Sequence, residues 1–254
     1  MLFRSLGIAQ AAKAAPDGYT LLIAVGAFIT NAALLSNLPY DSINDFAGVA
    51  QLGYPASILV VSPALGVRTI SDLVAFGKAQ PGKVLFGSGG AGGGSHLAGE
   101  RFRLAAGIKA VHVGFRGQPE ALIEVLTARV HYTVSTYGAA YPFVTDGRLL
   151  ALGVNTPQRL PQLPDVPALA ETLPEFKRPE TTNALLAPAR TPRAILERIS
   201  RDVRRSLESP DVVAKLNAIA FTVLPSTPDE QDKIRRAQIE AITKLAIASG
   251  LRAK

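Results

Sequence analysis

Apolar and polar positions along the chain fall into two alternating kinds of segment. Short runs rich in Leu and β-branched residues, bounded by Gly or Pro, occupy 20–25, 57–61, 84–86, 110–113, 130–134, 150–154, 184–187 and 221–224. Runs of that length predict buried strands, and their continuous apolar character points to parallel pairing. Amphipathic stretches fill the gaps. Thr69 caps a helix whose apolar side carries Ile70, Leu73, Val74 and Phe76. Gln118-Pro119-Glu120 opens a second, with Pro in its first turn. A third starts at Thr191-Pro192 and spaces Ile195, Leu196, Ile199, Val203 and Leu207 at the helical period. Ser209-Pro210 starts a fourth. Thr227-Pro228-Asp229-Glu230 is a capping box for a last helix running to Ala248, with Gly250 as terminator. Strand–helix alternation predicts an α/β architecture with mainly parallel sheets. The Pro-rich segments 155–167 and 173–179 read as surface loops.

The 254 residues suffice for one large or two modest domains. The chain has no Cys, which excludes disulfides, thiolate metal sites, iron–sulfur clusters and Cys nucleophiles. A net charge of +7 mildly favours anionic partners. The most apolar stretch, 19–35, is interrupted by Gly26, Thr30 and Asn31 and is too short to span a bilayer. The first twenty residues lack the uninterrupted apolar core of a signal peptide.

Candidate chemistry concentrates in the segment 86–100, where a predicted strand runs into a predicted helix through Gly87-Ser88-Gly89-Gly90-Ala91-Gly92-Gly93-Gly94-Ser95-His96. Such a loop leaves backbone N–H groups unobstructed at a helix N-terminus, which suits a carboxylate or phosphate. Ser88, Ser95 and His96 add side-chain donors. Ser95 stands where a Walker A loop needs Lys, and Phe86 and Leu97 break the nucleophile-elbow pattern. Gly87-x-Gly89-x-x-Gly92 matches the dinucleotide fingerprint, but no acidic residue ends the next strand. Arg116 there would suit a 2′-phosphate, so an NADP-dependent oxidoreductase is the alternative reading.

The remaining candidates carry less. His112 and His131 fall in predicted strands and read as structural. His96 and Glu100, four apart, would make two metal ligands with no third nearby, so no metal site is expected. No catalytic residue stands out. The arginines 190, 193, 198, 201, 204 and 205 are interleaved with Glu197, Asp202 and Glu208 and read as a solvated face, with Glu197 pairing Arg201, rather than as a nucleic-acid surface.

A set of ordered blocks extends over nearly the whole chain: Ala15-Pro16-Asp17-Gly18-Tyr19-Thr20, Leu38-Pro39-Tyr40-Asp41 with Asp45-Phe46, Gln80-Pro81-Gly82-Lys83, Phe86-Gly87-Ser88 with Ser95-His96-Leu97-Ala98-Gly99-Glu100, Asp146-Gly147-Arg148-Leu149, Leu163-Pro164-Asp165-Val166-Pro167 and Leu185-Leu186-Ala187-Pro188. In these the chain resembles the periplasmic solute-binding proteins of tripartite tricarboxylate transporters, the Bug family. The resemblance implies a type II periplasmic-binding-protein fold: two α/β domains with a cleft, the first from 1–62 and 181–254, the second from 63–180. It implies a non-catalytic, periplasmic, monomeric protein without cofactor that hands a small carboxylate to membrane permease subunits. The family's carboxylate loop falls on Ser88, Gly89, Gly90, Gly93, Ser95 and His96, with Gly93 where Ser or Thr is common. Its first-domain ligand segment falls on 27–31, where Ala27 and Phe28 replace polar residues but Thr30 and Asn31 remain. Ser135 stands near a position often held by Asp, which points to plain carboxylates rather than amino acids. Family members begin further upstream. The N-terminal strands of the first domain and the export signal are therefore expected to be missing, and a truncated, non-binding paralogue is a further alternative.

Overall fold

The computed structural model describes residues 2–176 and 181–251. These divide into two compact units, one of residues 2–54 with 181–251 and one of residues 55–176.

The first unit is built on a four-stranded sheet. It contains β1 (Leu22–Ala24), β2 (Phe46–Pro55), β8 (Asn183–Pro188) and β9 (Phe221–Val223), in the order β1-β8-β2-β9. β8 is antiparallel to both its neighbours. β2 is the longest strand, yet its apolar run is broken by Gly48, Gln51 and Gly53, which hides it in the sequence. Both glycines answer to packing. A Cβ on Gly48 would stand 2.8 Å from the Pro228 carbonyl oxygen, because α10 (Pro228–Ala248) lies directly on the strand. Gly53 has a φ of +136°, and its Cβ would fall 1.9 Å from the Thr222 oxygen of β9. The capping box of α10 forms as the sequence predicts: the Thr227 hydroxyl accepts from the Glu230 amide, and the Glu230 carboxylate accepts from the Thr227 amide at 2.8 Å.

The stretch 27–31, which the resemblance marks as a ligand segment, lies in α2 (Gly26–Leu34), packed against α10. Its Phe28 is buried against Tyr40 and Phe46, with ring centroids 6.0 and 5.4 Å away. α1 (Leu2–Ala12) packs on β8. On α8 (Arg193–Leu207) Glu197 pairs with Arg193 at 2.7 Å rather than with Arg201, and Arg193 also reaches Asp229. The remaining helix of this unit is α9 (Pro210–Ala218).

The second unit carries a five-stranded sheet in the order β5-β4-β6-β3-β7. Its strands are β3 (Ser57–Val61), β4 (Val84–Ser88), β5 (Ala110–Gly114), β6 (Tyr132–Thr136) and β7 (Leu150–Val154). β4 is parallel to β5 and β6, whereas β3 is antiparallel to β6 and β7. The sheets are therefore mixed, not mainly parallel. A continuous apolar run reports burial on both faces, which β3 has from Ile58 to Val61, and says nothing about direction. The same strand sets the division between units. The sequence reading left 55–62 in the first domain, but the hydrogen bonds of β3 lie wholly in the second sheet.

Crossover helices cover this sheet: α3 (Ile70–Ala79), α4 (Gly94–Ala105), α5 (Gln118–Leu126), α6 (Tyr137–Thr145) and the short α7 (Leu169–Thr172). α3 begins at the predicted Thr69, whose hydroxyl accepts from the Asp72 amide at 3.0 Å while the Asp72 carboxylate accepts from the Thr69 amide. Leu59, Val61, Leu73, Phe86, Phe102 and Tyr132 meet in one core cluster. The predicted loop at 173–179 contains a 3₁₀ turn at Pro174–Phe176, and its residues 177–179 lie outside the described residues. No described helix is long and apolar enough to cross a membrane.

Candidate functional site

β4 ends at Ser88 and α4 begins at Gly94, so the glycine-rich segment is the turn between a central parallel strand and its crossover helix. That is the position where strand carboxyl ends and helix amino ends converge. Each glycine of the dinucleotide-like fingerprint has a packing reason. A Cβ on Gly87 would press on Val130, Ala121 and Phe115, one on Gly89 would stand 2.8 Å from the Gln118 amide nitrogen, and Gly92 has a φ of +73°. Contact with the β5–α5 turn thus accounts for Gly89, core packing for Gly87 and backbone conformation for Gly92.

The glycine-rich sequence predicts loop amides free for a ligand. The structure spends several of them internally. The Gly89 amide donates to the Ser95 hydroxyl at 3.1 Å, Gly90 to the Ser88 hydroxyl at 3.2 Å, and Gly92 to His96 Nδ1 at 2.9 Å. Gly93 donates to the Gly90 carbonyl at 3.2 Å. The side chains expected to face a ligand therefore hold the loop. Among the described residues, the first helical amide bonded back into the chain is that of Leu97, to the Gly93 carbonyl at 3.0 Å. Gly93, as N-cap, has no side chain to offer, so the first-turn amides of Gly94, Ser95 and His96 lack a capping acceptor. They are the donors left for an anion.

Behind the loop lies a polar cluster of the buried Ser88, His96 and Glu100 with the half-buried His112, which the sequence predicts to be structural only. Ser88 is fully buried, and its hydroxyl lies 2.7 Å from His112 Nε2. The His112 ring stacks on that of His96 at 3.5 Å between centroids, with 19° between the planes. His96 accepts at Nδ1, so its proton sits on Nε2, which has no hydrogen-bond partner and lies 3.8 Å from Glu100 Oε1. Burial, with His112 and Arg103 nearby, pulls the His96 pKa down to about 4. His112 is also lowered by burial, opposed by Glu100. Both imidazoles are neutral at pH 7. Glu100 is buried and held by Arg103 at 2.5 Å. With His96 Nδ1 engaged, the His96–Glu100 pair is a structural contact, and no group of three His, Cys, Asp or Glu side chains placed for a metal occurs among the described residues.

The other predicted residues are distributed differently. Ser135 is buried at the carboxyl end of β6, the parallel neighbour of β4, with its hydroxyl directed to the Thr136 carbonyl at 3.4 Å. Thr30 and Asn31 belong to α2 in the first unit. The Thr30 hydroxyl is buried and donates to the Ala27 carbonyl at 3.3 Å. His131 has the structural role expected of it, accepting the Leu85 amide at 2.9 Å. Two residues were missed. Thr133 donates to the Gly87 carbonyl at 2.7 Å and accepts from Gln118 Nε2 at 3.1 Å, which ties the strand end to the β5–α5 turn. No sequence pattern marks such cross-strand pairs.

A family model described as the tripartite tricarboxylate transporter family receptor matches residues 4–249. Protein BugT of Bordetella pertussis is 30% identical over 228 residues, which cover 89% of this chain and 70% of BugT. Among solved structures, a periplasmic transporter superposes with a TM-score of 0.84 at 28% identity, covering 98% of this chain and 84% of its own. The R. palustris protein Rpa4515, solved with adipate, gives a TM-score of 0.84 at 27% identity, covering 97% of this chain and 83% of its own. The strand orders, the glycine-rich turn and this match over almost the full length make the chain a member of the tripartite tricarboxylate transporter receptor family, to which the Bug proteins belong.

Proposed function

We propose that this chain is a non-catalytic receptor that captures a small carboxylate in the periplasm and delivers it to permease subunits of a tripartite transporter. The observation that carries this reading is the uncapped amino end of α4, where the Gly94, Ser95 and His96 amides stand beside a turn kept narrow by glycine. A helix amino end of this kind carries partial positive charge and binds carboxylates without a cationic side chain. The neutral state of His96 and His112 fits recognition by dipoles rather than by ion pairing. Rpa4515 was solved with adipate, a dicarboxylate, and its likeness to this chain supports the same ligand class.

The test is a thermal-shift screen against mono-, di- and tricarboxylates, adipate included, with NADPH in parallel and calorimetry on any hit. A ligand at a hundred times its Kd stabilises by about 2.7 kcal/mol, enough for a clear upward shift. A response to NADPH and to no carboxylate would overturn the reading.

A further inference from the structure

Two hydrogen bonds tie the loop 88–96 to one pair of stacked imidazoles. At one end His112 Nε2 lies 2.7 Å from the Ser88 hydroxyl. At the other, His96 Nδ1 accepts the Gly92 amide at 2.9 Å. The Ser88 hydroxyl also accepts the Gly90 amide at 3.2 Å and lies 3.1 Å from the Gly90 carbonyl, so it meets the loop whichever way the proton shared with His112 points. Gly90 and Gly92 both sit at positive φ, +124° and +73°, so the loop is held in a shape that the chain alone does not select. We propose that His112 and His96 are positioning residues, an uncharged clamp that fixes the glycine-rich loop and lets it go when His96 takes a second proton.

The clamp opens for a geometric reason. Protonated His96 has a hydrogen on Nδ1, pointed at the Gly92 N–H, so two donors face each other and the bond is lost. The groups around His96 are Glu100 and Arg103 on α4, His112 on β5, and Phe86 on β4, with Tyr132 on β6 behind Phe86. Glu100 is engaged by Arg103, and the depressed pKa of His96 agrees with an environment that resists the second proton. His112 differs: protonated at Nε2 it would still donate to Ser88, whose hydroxyl would turn to the Gly90 carbonyl at 3.1 Å. His96 is therefore the titrating member, and His112 holds it flat and orients Ser88. The clamp's effect on affinity rests on the carboxylate reading; the clamp itself does not.

Amide hydrogen exchange of the full chain without ligand decides the matter. Protection of Gly90 and Gly92, corrected for intrinsic rates, is expected to fall on acidification from pH 7 to pH 4. His96→Asn keeps an acceptor for Gly92 but does not titrate, and should keep protection across that range. His96→Phe keeps a ring and removes the acceptor of the Gly92 amide, so protection of Gly92 at pH 7 should fall about tenfold, the worth of one ordinary hydrogen bond. Amides of the β3–β6 ladder report that each variant is folded. Equal protection at pH 7 and pH 4 in the unaltered protein, or wild-type protection of Gly92 in His96→Phe, overturns the clamp. Adipate titrated at pH 7 into wild type and His96→Phe gives the second readout, with an expected rise in Kd of similar size. If adipate and every other carboxylate fail to bind wild type, the carboxylate reading falls, while the exchange data still judge the clamp.

Discussion

Gly99→Ala tests whether the packing behind the loop is as tight as its distances state. Gly99 lies on the face of α4 that meets β4, and a Cβ there would stand 2.5 Å from both Cδ2 and Cε2 of Phe86. Ordinary contact starts about 1 Å further out. Phe86 is fully buried, stacked on Tyr132 at 5.5 Å and tilted against His112 at 5.0 Å, so its ring has no free direction. Forcing a methyl into such a core costs typically ~1–3 kcal/mol. Ala in place of Gly inside a helix returns up to ~1 kcal/mol. The balance is a loss of roughly 1–2 kcal/mol, or a Tm lower by about 5 °C for a chain of this size. Gly138→Ala on α6 is the control, since nothing lies within 4 Å of its Cβ, and it should match or exceed wild type. Calorimetric melts of the three proteins give the comparison. A Gly99→Ala protein as stable as Gly138→Ala would refute the argument, because the stacked rings would then have yielded to the methyl at no cost.

Two further outcomes follow from buried charge. His96 has a folded-state pKa of about 4 against 6.5 for an ordinary histidine, so the unfolded chain binds more protons below pH 6.5. Its contribution to stability is full above that pH and declines as the pH falls toward 4. By linkage, His96 alone removes about 2 kcal/mol by pH 5, and urea unfolding at pH 7.5 and pH 5 should show a loss of at least that order, flattened in His96→Asn; an unchanged midpoint would contradict it. Arg235 is buried with Nη2 bonded to Asp232, Phe46 and Ile43 oxygens, while its Nε and Nη1 have no partner. Arg235→Ala leaves a void and two carbonyls without a donor and should cost ~3 kcal/mol, whereas Arg235→Met fills the space and removes the two unpaired donors, and should cost clearly less; the reverse order in urea melts would show that the guanidinium charge, not packing, matters here.

Local chemistry was legible in the sequence wherever a few neighbouring residues decide the outcome. The cap at Thr69 and the capping box at Thr227 need only residues within one turn, and both formed, the Thr69 cap being completed to a box by Asp72. β7 has the predicted bounds because its apolar run ends in clear breakers. The glycine-rich turn was found for the same reason, and so was the family, whose blocks are contiguous in the chain. β2 was not legible, because glycines at 48 and 53 exist to admit α10 and β9, partners more than 160 residues away in the chain. Strand direction was not legible either, since an apolar run is the same read in either sense.

The site divides along the same line. Sequence determined that a glycine-rich, uncharged turn would lead into a helix, because that depends on residue types and their order. Only the tertiary structure decided which amides remain for a ligand. Ser88, Ser95 and His96 satisfy the loop's own donors, and His112 reaches Ser88 from a neighbouring strand through the register that sets Phe86 beside His112. A hydrogen-bond donor is spent or free according to what lies within 3 Å of it, and that is fixed by packing, not by the order of residues.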